Sequence, residues 1–92
     1  MAYNLFIAYD LLSPGQNYDA VRAAIMDLGK WHQFQLSLFY VSSELPPAAA
    51  YNHVAVHLDS NDRLAVINAD GAIVSGWDKP PIDAINAIWS TP

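Results

Sequence analysis

An α+β fold, an antiparallel sheet carrying two helices on one face, is predicted by three observations in this 92-residue chain. An aromatic and branched run opens it at Tyr3 to Tyr9, an apolar stripe at helical spacing starts at Tyr18, and a period-two segment runs from Trp31 to Val41. A chain this short buries only a little over ~60% of its unfolded surface, so these elements share a single core.

Taken in order, Tyr3-Asn4-Leu5-Phe6-Ile7-Ala8-Tyr9 is nearly continuous in apolar character, which suits a central strand, and it delivers Asp10 to its carboxyl end. Ser13-Pro14-Gly15 signals a turn, and Asn17 is a candidate helix cap. Tyr18, Val21, Ile25 and Leu28 then form one helical stripe, with Gly29 as a left-handed stop. From Trp31 to Val41, Phe34, Leu36, Leu38 and Tyr40 alternate with Gln33, Gln35 and Ser37, giving either one long strand or a short pair broken near Gln35. Ser42 to Pro47 is a turn whose prolines suit a first helical turn, and Ala48 to Leu58 reads as the second helix with Ala50, Tyr51, Val54 and Leu58 inward.

Asp59-Ser60-Asn61-Asp62 stops that helix. Arg63 to Ile67 forms a further strand, ended by Ala69-Asp70-Gly71. A last strand is predicted at Ala72 to Val74. A short terminal helix, carried by Ile82, Ala84, Ile85, Ile88 and Trp89, follows the Pro80-Pro81 break. This order is that of a ferredoxin-like split βαβ sandwich over residues 1–77, with a tail over 78–92 that has the option of crossing to a dimer partner.

Composition limits function. The chain is 53% hydrophobic and 14% charged, so sheet-to-sheet dimerisation is the expected fate of the face without helices. The absence of cysteine fits a reducing, cytoplasmic setting. The apolar run Leu5 to Ala8 lacks the leader and cleavage pattern of a signal peptide, and no run approaches the ~20 apolar residues of a membrane span. Nine acidic residues against four scattered basic ones give a net charge of −5, which leaves no footprint for gripping a phosphate backbone.

The first strand ending in Tyr9-Asp10 and the later strand Gln35-Leu36-Ser37-Leu38-Phe39-Tyr40-Val41 resemble the small CRISPR-associated adaptation proteins, the ferredoxin-like dimeric partners of the spacer integrase. The same residues resemble the related virulence-associated ribonuclease toxins. Tyr9-Asp10-Leu11 with Pro14 to Tyr18, and Leu58-Asp59 with Asn61-Asp62, are most similar to short phage and plasmid proteins grouped with them. The resemblance spans roughly residues 3 to 70. It implies a homodimer in which Asp10 of both chains holds magnesium for phosphodiester hydrolysis, with Ser37 and Phe39 in the interface. The neutral segment Leu11 to Gln16 departs from the family's pattern of arginines after the aspartate.

Each candidate residue also has a structural explanation. Asp10 is either a metal-binding catalytic carboxylate or a strand-terminal turn residue. His32 is a general-base candidate near Asp10 or a hydrogen-bonded structural histidine. His53 and His57 have helical metal-ligand spacing but no third ligand of obvious position. Asp59 to Asp62 lacks the glycine and glutamate that complete a calcium loop. Trp31, Trp77 and Trp89, without interleaved basic residues, fit packing better than base stacking. Two functions therefore stay open: a magnesium-dependent endonuclease acting on RNA or DNA, and a non-catalytic dimer that binds another protein, its acidic surface engaging a basic partner or mimicking nucleic acid.

Overall fold

A computed structural model describes residues 2–11, 18–71 and 85–89. The elements run β1 (Tyr3–Asp10), α1 (Tyr18–Met26), β2 (Gly29–Gln35), β3 (Leu38–Ser43), α2 (Pro47–Ala55) and β4 (Arg63–Asn68). The four strands form one sheet in the order β2-β3-β1-β4, every neighbouring pair antiparallel. This is the ferredoxin-like α+β arrangement. The two β-α-β crossovers interleave, so that the strands joined by α1 are separated by β3 and those joined by α2 by β1.

Register assigns the faces. Leu5 and Ile7 lie opposite Val41 and Phe39 on one side, and Leu5, Ile7 and Tyr9 lie opposite Asn68, Val66 and Leu64 on the other, so their side chains share the helix-facing surface. There they meet Val21, Ala24 and Ile25 of α1, Leu28 just beyond it, and Ala50 and Val54 of α2 in one cluster. Leu5, Ile7, Val21, Ile25, Phe39, Val41 and Val54 are wholly buried, each such side chain contributing about 1.5–3 kcal/mol of transfer free energy.

The other face carries Asn4, Phe6, Ala8 and Asp10 of β1 beside Ser42, Tyr40 and Leu38 of β3. A single helical turn at 85–88 and the following Trp89 lie over its lower half. Trp89 stacks on Tyr40 with ring centroids 5.3 Å apart and 14° between planes, and it touches Phe6 at 6.1 Å. The Tyr40 hydroxyl donates a 2.7 Å hydrogen bond to Asn4 Oδ1 and lies 3.4 Å from the Ile88 carbonyl oxygen. Tyr40 is wholly buried as a result, although it faces away from the helices.

Several sequence expectations shift. Of the two readings of Trp31 to Val41, the structure has the short pair broken next to Gln35, a hairpin with Leu36 and Ser37 at its turn and a register irregularity between Gln33 and Gln35. Gly29 opens β2 instead of capping the helix, and its φ of +157° lies in the positive range that favours glycine, as expected. Glycine is required there because a Cβ would overlap the Ser42 carbonyl oxygen of β3. Helix α2 ends at Ala55, where His57 N–H and Leu58 N–H bond to the carbonyls of Val54 and Ala55 and tighten the chain into turns. Tyr51, expected inward, is 43% exposed. The expected Asn17 cap and the strand at 72–74 fall outside the described residues.

Candidate recognition site at the carboxyl end of the first strand

Beyond the part of the outer face covered by Trp89, the sheet forms a hollow of about 340 Å³ at the carboxyl end of β1. Ala8, Leu38 and Ala65 are consecutive neighbours across β3, β1 and β4. They give it an apolar floor on the outer face. Asp10 and Arg63 stand at the β4 side, and Gln35 and Ser37 line the β2–β3 side.

Asp10 and Arg63 are register partners, the last residue of β1 and the first of β4. Antiparallel pairing sets their Cα atoms about 4.5–5.5 Å apart and sends both side chains to one face. Both are exposed, and among the described residues neither side chain has an ion-pair partner. The hollow therefore presents one carboxylate and one guanidinium side by side on rigid strands.

The opposite rim is pinned from below. Tyr9 Oη donates a 2.8 Å hydrogen bond to the Leu36 carbonyl, Gln33 Nε2 donates to the same oxygen at 3.3 Å, and Tyr9 N–H bonds to the Ser37 carbonyl at 3.1 Å. The Leu36 side chain, 72% exposed, is held out at the tip of this fixed turn. Tyr9 itself is buried, which pushes its phenol above the ordinary value of 10.0. The nearby Arg22 charge partly opposes this, and Tyr18 adds to it. The phenol thus stays protonated and able to donate at neutral pH.

The remaining sequence candidates are spread out. His32 lies in the row of Tyr40 and Phe6, four residues along β1 from Asp10, or roughly 13 Å along the strand, and its ring meets the edge of Phe34 instead. Within one chain, His32 and Asp10 therefore do not stand together. The side chain of Phe39, implied as an interface residue by the family resemblance, is wholly buried in the single-chain core between the rings of Tyr9 and Trp31. Ser37 does reach the surface, at the rim of the hollow.

His53 Nε2 lies 3.2 Å from Asp27 Oδ2, tying α2 to the end of α1, while His57 sits in the turn after the helix. The two histidines are therefore not a ligand pair on one helix. Asp62 Oδ2 accepts the Asp59 N–H at 2.9 Å, and Asp62 N–H bonds to the Asp59 carbonyl, a self-closed turn leading into β4. Among the described residues, no three His, Cys, Asp or Glu side chains gather around one point.

Arg63, Gln35 and Leu36 escaped the sequence reading as site residues. Arg63 looks like an ordinary strand start, and only the β1–β4 register places it beside Asp10. Together, fold and site define a small ferredoxin-like α+β domain with a two-signed hollow at the end of its first strand. Compared with family models, curated proteins and solved structures, the chain matches none. Among the described residues no helix is long and apolar enough to cross a membrane.

Proposed function

We propose that this chain is a small protein-binding module whose contact surface is the pinned β2–β3 turn and the hollow beside it. The observation that carries the reading is Leu36, a large apolar side chain 72% exposed on a turn immobilised by three hydrogen bonds. An anchor already fixed in place loses little conformational entropy on binding, which is how a few residues come to dominate an interface. Asp10 and Arg63 supply a polar rim of both signs, and the net charge of −5 favours a basic partner.

The test is paired affinity capture at low salt with wild-type protein and Leu36→Asp. Retention of a defined partner by the wild type, lost in the variant and weakened by added salt, supports the module. The same set of proteins on both resins overturns it.

A second reading, a homodimeric magnesium-dependent nuclease acting through Asp10, draws on the exposure of that carboxylate at the strand's end. It predicts magnesium-dependent cleavage of RNA or DNA that disappears in Asp10→Ala while the dimer persists. Equal cleavage by the variant refutes it.

A further inference from the structure

We infer that the hollow at the carboxyl end of β1 is a binding site for a free α-amino acid with an apolar side chain. The inference rests on reading this surface as one of recognition, and it adds the chemical class of a small ligand that the surface admits.

Three features carry it. The first is charge arrangement. Asp10 and Arg63 are register partners on one face, both exposed and neither ion-paired among the described residues, so an acceptor of cations and a donor to anions stand together. A ligand satisfying both carries an ammonium and a carboxylate close together, and an α-amino acid bears them on a single carbon. The guanidinium fork of Arg63 suits two-point recognition of a carboxylate, and Asp10 accepts hydrogen bonds from an ammonium.

The second is the floor. Ala8, Leu38 and Ala65 are apolar, and two of the three are small, leaving space for an aliphatic side chain lying across the strands. The third is size. About 340 Å³, lined mainly by apolar groups with a few polar ones at the edge, falls in the small-molecule range. Gln35 and Ser37 add an amide and a hydroxyl on the far side, able to donate or accept.

The experiment is an NMR titration of the full chain with leucine, N-acetyl-leucine and leucinamide. Leucine is expected to shift the amides of Ala8, Ser37 and Ala65 saturably. Removing either ligand charge should weaken binding about tenfold, the scale of one charge-assisted hydrogen bond. In Asp10→Asn the preference for leucine over N-acetyl-leucine should shrink, and in Arg63→Gln the preference over leucinamide should shrink. Absence of saturable shifts at ~10 mM leucine, well above the ~1 mM scale of a weak site, overturns the inference, as does equal binding of all three ligands. Failure here leaves the protein-binding reading standing, because the Leu36→Asp comparison needs no small ligand. Success of the titration with failure of the capture leaves an amino-acid site alone.

Discussion

The phenol of Tyr9, buried on the helix side of the sheet, donates a 2.8 Å hydrogen bond to the carbonyl oxygen of Leu36, whose own side chain stands in solvent. One residue of the central strand thus ties the hydrophobic core to the tip of a surface turn 27 residues away. The core's rigidity is passed to the candidate anchor through this contact, beside the Tyr9 N–H and Gln33 bonds to the same turn.

Removing that contact should loosen the turn without unfolding the domain. Tyr9→Phe keeps the ring stacked near Phe39 but removes the hydroxyl, at a cost of about 1 kcal/mol in chemical denaturation. Amide hydrogen exchange around Ser37 should accelerate more than exchange in β1. Uniform acceleration would mean that the bond supports the whole fold and not the turn.

Alkaline titration tests the environment of the same phenol. Burial raises Tyr9 above its ordinary value of 10.0, so the folded state holds this proton more tightly than the unfolded chain does. The associated stability is complete below pH 10 and is lost as the pH rises from there through the folded-state value. Ultraviolet absorbance should show a late tyrosine ionisation above pH 10 whose amplitude falls in Tyr9→Phe. A wild-type titration indistinguishable from that of the variant would contradict the burial of the hydroxyl.

Gly29 is predicted to be intolerant. A methyl group there meets the Ser42 carbonyl, which is paired backbone near the end of the β2–β3 ladder and cannot move aside without breaking pairing. Gly29→Ala should destabilise by about 1–3 kcal/mol, the usual cost of overpacking, visible as a lowered denaturation midpoint. Gly71→Ala, with open space around the added carbon, serves as the comparison and should change little.

The outer face makes a prediction independent of the hollow. Tyr40→Phe retains the stack on Trp89 but removes the buried 2.7 Å bond to Asn4, which should cost about 1–3 kcal/mol. Trp89→Ala removes the stacked ring and should uncover Tyr40, raising both its solvent accessibility and the binding of a hydrophobic dye. Unchanged dye binding would show that Trp89 is not what covers that face.

Much of the fold was legible because it depends on local chemistry. The stripe through Val21, Ile25 and Leu28 and the branched run of β1 each declare their element through period and residue type, and the alternation from Trp31 to Val41 declares strand on both sides of the hairpin turn. Their order then leaves the split βαβ frame as the simplest arrangement. At Gly29 the expected positive φ is present, but its second constraint, clearance from a strand 13 residues on, is invisible in the local sequence. Tyr51 fits an inward stripe by spacing, but the helix ends at Ala55 and its orientation is set by Ala50 and Val54 against the sheet.

The site was legible only in part. By itself, the sequence determined that an acidic residue ends the first strand, since Asp10 follows directly on an apolar β run. Tertiary structure decided what stands beside it. Strand pairing is a long-range relation, so the β1–β4 register alone brings Arg63 opposite Asp10, removes His32 to a distant row and turns Phe39 into the core. Side-chain chemistry is written residue by residue, but adjacency between strands is a property of the folded sheet, and it converts a lone carboxylate into one half of a charged pair.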